Sequence, residues 1–257
     1  MAMADPLMGL LRPLALPLAA LAGLEAFART LGRDSDSLAA PTAAVVSFFS
    51  ALKDGSLLQA TAFTLSCAGL GLLIGMALGL LFGLLTGLSR RAAATSFLTV
   101  EMLRPVPSVA LIPIAMLAFG FGVSMEVSVI AFATFWPMLI LCQNAVRQLE
   151  PRLIEVSAAL QLTPTQRAVK IVLPAVLPRL FVAFRLGVAI ALIVAVTVEI
   201  AANPDGMGYA LMLAQQSLSP ALMMAWLGWI GLVGFAINAL AERVQRAVAR
   251  RMGEVQR

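Results

Sequence analysis

Residues 155–178 read EVSAALQLTPTQRAVKIVLPAVLP and interrupt an otherwise apolar chain with a polar stretch. Just before it, Glu150 and Pro151 suit a helix start. Proline has no backbone N–H, but at the first helical position that N–H would have no partner within the helix, so nothing is lost. We expect this short helix to run to about Gln161. A polar helix of this length between apolar segments indicates a loop with a structure of its own.

A second helix start follows within the same stretch. Thr163 is placed as the N-cap, Pro164 at the first helical position and Gln166 where it completes a capping box. We expect this helix to end before Pro174. The stretch therefore predicts a helix-turn-helix, and its apolar positions give it a surface that suits docking into a partner better than contact with water. Those positions are Val156, Ala158, Ala159, Leu160 and Leu162.

The chain as a whole has the composition of a membrane protein. Of its 257 residues, 61% are hydrophobic and 12% charged, and the mean hydropathy is +0.95. Soluble domains use about 45–50% apolar residues. We predict an all-α integral membrane protein forming a single domain over residues 1–257. Spans of roughly 17–25 residues, long enough to cross about 30 Å of hydrocarbon, are expected at about 12–31, 62–88, 93–121, 124–145, 180–201 and 221–241.

The distribution of basic residues predicts the orientation. Lysine and arginine favour the cytoplasmic side of short loops. In a six-span arrangement, most of the basic residues fall on the side that carries both termini and the loop at about 146–179. We therefore expect the termini and this loop to be cytoplasmic. This asymmetry explains the pI near 10.2 more simply than affinity for nucleic acid.

The residue inventory argues against catalysis and metal binding. The sequence contains no histidine, which excludes His-based triads and His-containing zinc sites, and Cys67 and Cys142 lie far apart in apolar segments. We expect both cysteines to be free core residues. No Ser-Lys, Asp-pair or metal-ligand pattern occurs in the spans, so we predict no catalytic residue, no metal site and no enzyme activity.

Two spans contain unusual features. In the second, Gly71, Gly75, Gly79, Gly83 and Gly87 recur every four residues and predict a close helix-packing face, either within the chain alone or also at a moving or intersubunit contact. The third span contains several prolines, which lipid-exposed backbone does not tolerate, so it is expected to be sheltered by protein or to line a cavity.

Three polar positions are candidates for a solute pathway together with Pro105 and Pro107. Arg104 either snorkels to the cytoplasmic surface, attracts an anionic solute or forms a structural ion pair. Glu199 lies near the outer end of the fifth span, followed by Asn203 in a turn. The Glu199 carboxylate either forms a structural pair with another residue or contributes to a gate or a solute contact.

The loop also carries a family resemblance. The pattern begins with Glu155, Val156 and Ser157, and Gln161 follows after a gap of three residues. After a further nine residues comes IVLP at 171–174. This spacing resembles the EAA loop of permease subunits of ATP-binding cassette (ABC) importers, which reads E-A-A, three residues, G, nine residues, I, one residue, L-P. Gln161 replaces the glycine that normally allows the sharp turn between the loop helices, and we expect the Thr-Pro restart to compensate for it.

Nearly the whole chain, from about residue 41 to residue 250, is similar to the nitrate/sulfonate/taurine importer permeases. LKDGSLLQATAFTL, LRPVPSVALIPIAMLAFGFG and VEIAANPDGMGY are among the corresponding segments. The resemblance implies the type I importer permease fold in a bacterial inner membrane. It also implies a second permease copy, two cytoplasmic ATPase subunits and an external solute-binding protein as partners.

The resemblance further implies the roles of the loop and the pathway. Glu155 would contact the ATPase, and the apolar loop residues would fill a groove in it. This contact would link ATP hydrolysis to import of a small anionic solute such as nitrate, a sulfonate or taurine. The coupling residues would be Glu155, Val156, Ser157, Ala158, Ala159, Gln161, Leu162, Thr163 and Pro164. No G-x-x-x-x-G-K-[ST] run occurs in the chain, so ATP and Mg²⁺ are expected on the partner and no cofactor on this chain. The alternative is a membrane scaffold that anchors a soluble complex without moving solute.

Overall fold

The structure, a computed structural model, describes residues 6–30 and 39–251, and within these ranges it is helical without any strand. Its short elements are a 3-10 turn at Ser108–Leu111 and a π-helical turn at Ala168–Val172. The α-helices in chain order are α1 Pro6–Thr30, α2 Pro41–Lys53, α3 Ser56–Leu88, α4 Arg90–Leu103, α5 Ile112–Phe119, α6 Val123–Arg147, α7 Pro151–Ala159, α8 Pro164–Arg167, α9 Leu173–Ala201, α10 Gly206–Gln216 and α11 Pro220–Arg251.

Among the described residues, four helical segments are long and apolar enough to cross a membrane. They are α3, α6, the continuous segment Pro164–Ala201 and α11, and they coincide with predicted spans two, four, five and six. The predicted third span is not straight, because α4 and the segment Ser108–Phe119 meet at a bend of 88°. Helix α1 coincides with the first predicted span but is not one of the four segments long and apolar enough to cross a membrane.

The glycine face of α3 packs against α6, as the four-residue repeat predicted. A Cβ built on Gly71 would lie 2.6 Å from Ile130 Cβ, and one built on Gly87 would lie 2.7 Å from Val146 Cβ. The glycines between them approach α6 at matching four-residue steps, against Thr134, Met138 and Cys142. The two helices therefore touch along five successive turns, where only glycine fits.

Helix α9 begins earlier than predicted. The chain stays helical from Pro164 through Pro174 and Pro178 to Ala201, so the expected end before Pro174 is wrong. The π-helical turn supplies the reason, since Leu173 N–H donates to Ala168 O across a wider turn just before the proline. This shift changes the hydrogen-bond register where Pro174 cannot donate, and the helix continues.

The chain divides into two compact units, one of Met1–Ala60 with Ala210–Gly231 and one of Thr61–Tyr209 with Leu232–Arg257. Helices α3, α10 and α11 contribute residues to both. In the first unit, Thr42 N–H donates to Glu25 Oε2 at 3.0 Å and ties the start of α2 to α1. Between α2 and α3, hydrogen bonds from the side chain and backbone of Ser56 lower the pKa of Asp54.

Candidate functional site

The loop after α6 is a helix-turn-helix held by local hydrogen bonds. Leu162 N–H donates to Ser157 O at 3.1 Å and closes the turn after α7. The capping box predicted for α8 is present, with Gln166 N–H donating to Thr163 Oγ1 at 3.3 Å and Thr163 N–H donating to Gln166 Oε1 at 3.1 Å. Such caps contribute about 1 kcal/mol each, so the second helix has a fixed start.

The turn between the loop helices contains a left-handed residue. Gln161 has a φ of +48°, a conformation that costs L-amino acids roughly 1–2 kcal/mol. This is the position at which the resembling loops carry glycine. The chain therefore turns here with a strained glutamine, and α7 ends at Ala159, two residues before the predicted end.

Helix α7 buries one side and exposes the other. Ser157 is 2% exposed, whereas Val156 and Leu160 are 48% and 63% exposed. Glu155 and Ala159 are also exposed, and the side chain of Ala158 lies outside the described residues. In α8 and the preceding turn, Gln161, Thr163 and Pro164 are exposed and Leu162 is half-buried. The loop thus presents the Glu155 carboxylate beside the exposed apolar side chains of Val156 and Leu160.

The proline-containing segment forms an elbow. Arg104, Pro105 and Pro107 lie at the break between α4 and the 3-10 turn, and all three are exposed. Arg104 Nη1 lies 3.5 Å from Glu101 Oε1. Exposed pairs of this kind contribute about 0–1 kcal/mol, so the pair leaves the guanidinium available to other partners.

The other pathway candidates lie in a buried polar cluster that joins α3, α6, α9 and α10. Asn203 Nδ2 donates to Glu126 Oε2 at 2.5 Å, and both side chains are almost fully buried. Gly208 N–H donates to Glu199 Oε2 at 2.7 Å, so Glu199 caps the start of α10. Thr64 of α3 completes the cluster, because its Oγ1 accepts from Met207 N–H at 2.9 Å.

This cluster contains two residues that the sequence interpretation missed, Glu126 and Thr64. A carboxylate inside an apolar span was the signal for Glu126, since such residues generally face a bundle interior or a cavity. Thr64 gave no comparable signal, because threonine is common in spans. Glu126 Oε1, Glu199 Oε1 and Asn203 Oδ1 are buried without a hydrogen-bond partner among the described residues. Each such oxygen is costly to bury without a donor, so the cluster has unused acceptors inside the bundle.

One helix connects the loop to this cluster. The continuous segment Pro164–Ala201 contains 38 residues, which corresponds to about 57 Å at 1.5 Å per residue. It begins in the loop, and Glu199 and Asn203 lie at its far end. A continuous helical segment therefore links the loop to the buried cluster.

Metal chemistry has no candidate in the described part of the chain. No group of three histidine, cysteine, aspartate or glutamate residues there could hold a metal ion. Cys67 and Cys142 are free and buried, which confirms the interpretation of both as core residues.

Comparison with known proteins identifies relatives over most of the chain. Residues 71–254 match the family described as "Binding-protein-dependent transport system inner membrane component". SsuC of Bacillus subtilis, described as an aliphatic sulfonates transport permease protein, is 28% identical over 81% of this chain and 76% of its own. The Escherichia coli protein of the same description is 30% identical over 81% of this chain and 80% of its own. Relatives described as taurine, bicarbonate and nitrate permease proteins also match.

Solved structures show the same fold. A chain of the MetNI methionine ABC transporter, in an inward-facing conformation, matches with a TM-score of 0.65 and 22% identity. The match covers 75% of this chain and 95% of that chain. The architecture is therefore the type I ABC importer permease fold that the loop predicted.

Proposed function

The chain belongs to the family of inner membrane components of binding-protein-dependent transport systems, as the permease subunit of an ABC importer, and we propose that residues 151–174 couple it to its ATPase. The observation that carries this proposal is the exposed face of a locally rigid loop. Glu155 and Val156 of α7 and Leu160 just after it are exposed, while Ser157 is buried. Apolar side chains around one carboxylate suit a partner groove with a polar contact.

The continuity of the loop with α9 supports the coupling role. A docked α7 would move with the ATPase surface, and the capped turn would pass this movement to the segment Pro164–Ala201. At the far end, Glu199 and Asn203 connect the segment to α10 and α6. Closure of the ATPase pair would thus be felt at the opposite end of the bundle, where an alternating-access pathway would open.

We further propose the nature of the solute and of the assembly. The relatives described as sulfonate, taurine, nitrate and bicarbonate permeases favour a small anion as the solute, with Arg104 at the elbow as a candidate contact. Two copies of the chain would form the pathway in a bacterial inner membrane, with both termini cytoplasmic. ATP and Mg²⁺ would be bound by two separate ATPase chains, and an external binding protein would deliver the solute.

The test is co-purification of the ATPase with a loop variant. Ala159→Asp places a carboxylate on the exposed apolar face, and burying it in a groove is costly. Ala247→Asp makes the same change at another exposed helical position, in α11, on the side predicted to be cytoplasmic. We expect Ala159→Asp to lose the ATPase and Ala247→Asp to retain it, with equal membrane expression. Equal retention by both variants would contradict the docking role of α7.

A further inference from the structure

A basic cavity lies beside the loop, and its arginines are not among the residues proposed above to contact the ATPase. Its volume is about 670 Å³, and it is bounded by the end of α3, the start of α4, the end of α6 and the α8 segment. Three arginines line it, Arg90, Arg147 and Arg167, one from each of α4, α6 and α8. Three segments that are distant in sequence thus place positive charge around the same cavity.

Among the described residues, these three arginines have no acidic partner, unlike several arginines elsewhere in the chain. Arg104, Arg185 and Arg246 each lie within 4 Å of a glutamate, at 3.5, 3.7 and 3.5 Å. No such ion pair forms at the three cavity arginines within the described part of the chain, and no carboxylate lines the cavity. The positive charge there is therefore uncompensated.

One donor in the cavity is also buried. Arg167 Nε is shielded from solvent and has no hydrogen-bond partner among the described residues. A buried donor without an acceptor costs about 1–3 kcal/mol, and more when it is charged. The start of α4 adds to the positive field in the cavity, because a helix N-terminus carries partial positive charge. The cavity thus offers donors and positive charge to an acceptor that is absent from the chain itself.

We propose that this cavity binds a phosphate-type oxyanion, either the headgroup of an anionic phospholipid or free phosphate. Guanidinium groups match the oxygens of phosphate with paired hydrogen bonds. Leu88 and Phe97 add an apolar wall, and basic pockets between membrane helices on the cytoplasmic side are suited to lipid headgroups. Because Arg167 belongs to α8, the bound anion ties the loop to α3, α4 and α6. This site needs neither the imported solute nor the ATPase contact.

The experiment measures anion binding to the purified importer complex, in detergent and stripped of lipid. Native mass spectrometry compares phosphatidylglycerol with phosphatidylcholine, and calorimetry measures inorganic phosphate. Arg167→Gln and Arg90→Gln remove cavity donors, and the exposed Arg90 keeps the test usable if the first variant folds poorly. Arg91→Gln is the matched control, since Arg91 is adjacent to Arg90 but does not line the cavity.

We expect each cavity variant to weaken binding of the anion at least about tenfold, the loss of one charged hydrogen bond, and Arg91→Gln to leave it unchanged. Preferential binding of phosphatidylglycerol identifies the lipid headgroup as the source, and binding of inorganic phosphate identifies the free anion. Equal retention of both phospholipids together with no phosphate binding overturns the proposal. So does anion binding that is the same in wild type, Arg167→Gln and Arg90→Gln.

Discussion

Gly79→Ala is the substitution that tests the contact between α3 and α6 most sharply. A Cβ at this position would lie 2.6 Å from Phe135 O, 2.8 Å from Met138 Cβ and 3.1 Å from Leu139 N. Two of these three atoms belong to the α6 backbone, which cannot move aside as a flexible side chain would. The added methyl group therefore forces the two helices apart or bends one of them.

The magnitude follows from comparison with Gly69→Ala in the same helix. A Cβ on Gly69 meets nothing within 4 Å, so that variant reports only the helix propensity gained, about 0.8–1 kcal/mol. Overpacking a tight contact costs about 1–3 kcal/mol. Because the propensity gain is common to both variants, Gly79→Ala should be less stable than Gly69→Ala by about 1–3 kcal/mol. For a chain of this size that difference corresponds to about 2–12 °C in Tm.

The assay is thermal unfolding of each purified variant in the same detergent, followed by the loss of the monodisperse peak in size-exclusion chromatography. Wild type, Gly69→Ala and Gly79→Ala are heated in parallel at equal concentration. We expect Gly69→Ala to unfold at or above the wild-type temperature and Gly79→Ala below it. Identical unfolding temperatures for the two variants would refute the close approach of α3 to α6.

Three further predictions concern the loop, the orientation and the buried cluster. Gln161→Gly should raise the unfolding temperature because glycine adopts a φ of +48° without strain. Gln161→Val should lower the free energy of unfolding by roughly 1 kcal/mol, because a β-branched residue is strained at this φ. The same shift in both variants would argue against a strained turn. An impermeant thiol reagent applied to intact cells should label Asp54→Cys and spare Thr165→Cys, and the opposite pattern would invert the orientation. Glu199→Ala should destabilise the protein by about 1–3 kcal/mol, because Gly208 N–H is left buried without an acceptor. Glu199→Gln should cost less, because its amide oxygen can still accept that hydrogen bond. Equal losses of stability in thermal unfolding would count against the cap.

The features predicted well from the sequence are those set by local chemistry. The capping box at Thr163 depends only on residues three apart, and the structure contains both of its hydrogen bonds. The glycine repeat of α3 predicted a close contact because small residues at four-residue spacing share one helix face. Its partner could not be named in advance, since any of the other spans could have packed there.

The features predicted less well depend on how hydrogen bonds and contacts are arranged between segments. Pro174 was expected to end a helix, but the π-helical turn before it changes the hydrogen-bond register and the helix continues. The prolines of the third span indicated a disturbed helix without giving its 88° bend. Asn203 and Glu126 are 77 residues apart, and only the packing of α6 against α9 brings them together.

The most direct test of the coupling role of the loop is solute-stimulated ATP hydrolysis by the reconstituted importer carrying Glu155→Arg. A mispaired charge at a buried interface costs about 2–5 kcal/mol, which corresponds to at least about thirtyfold weaker docking. Glu150→Arg is the matched control, because Glu150 is also an exposed glutamate but precedes Pro151, the first residue of α7. We predict that Glu155→Arg abolishes the stimulation by solute while the ATPase keeps its basal hydrolysis, and that Glu150→Arg retains the stimulation. Wild-type stimulation in Glu155→Arg would contradict the assignment of α7 as the coupling element.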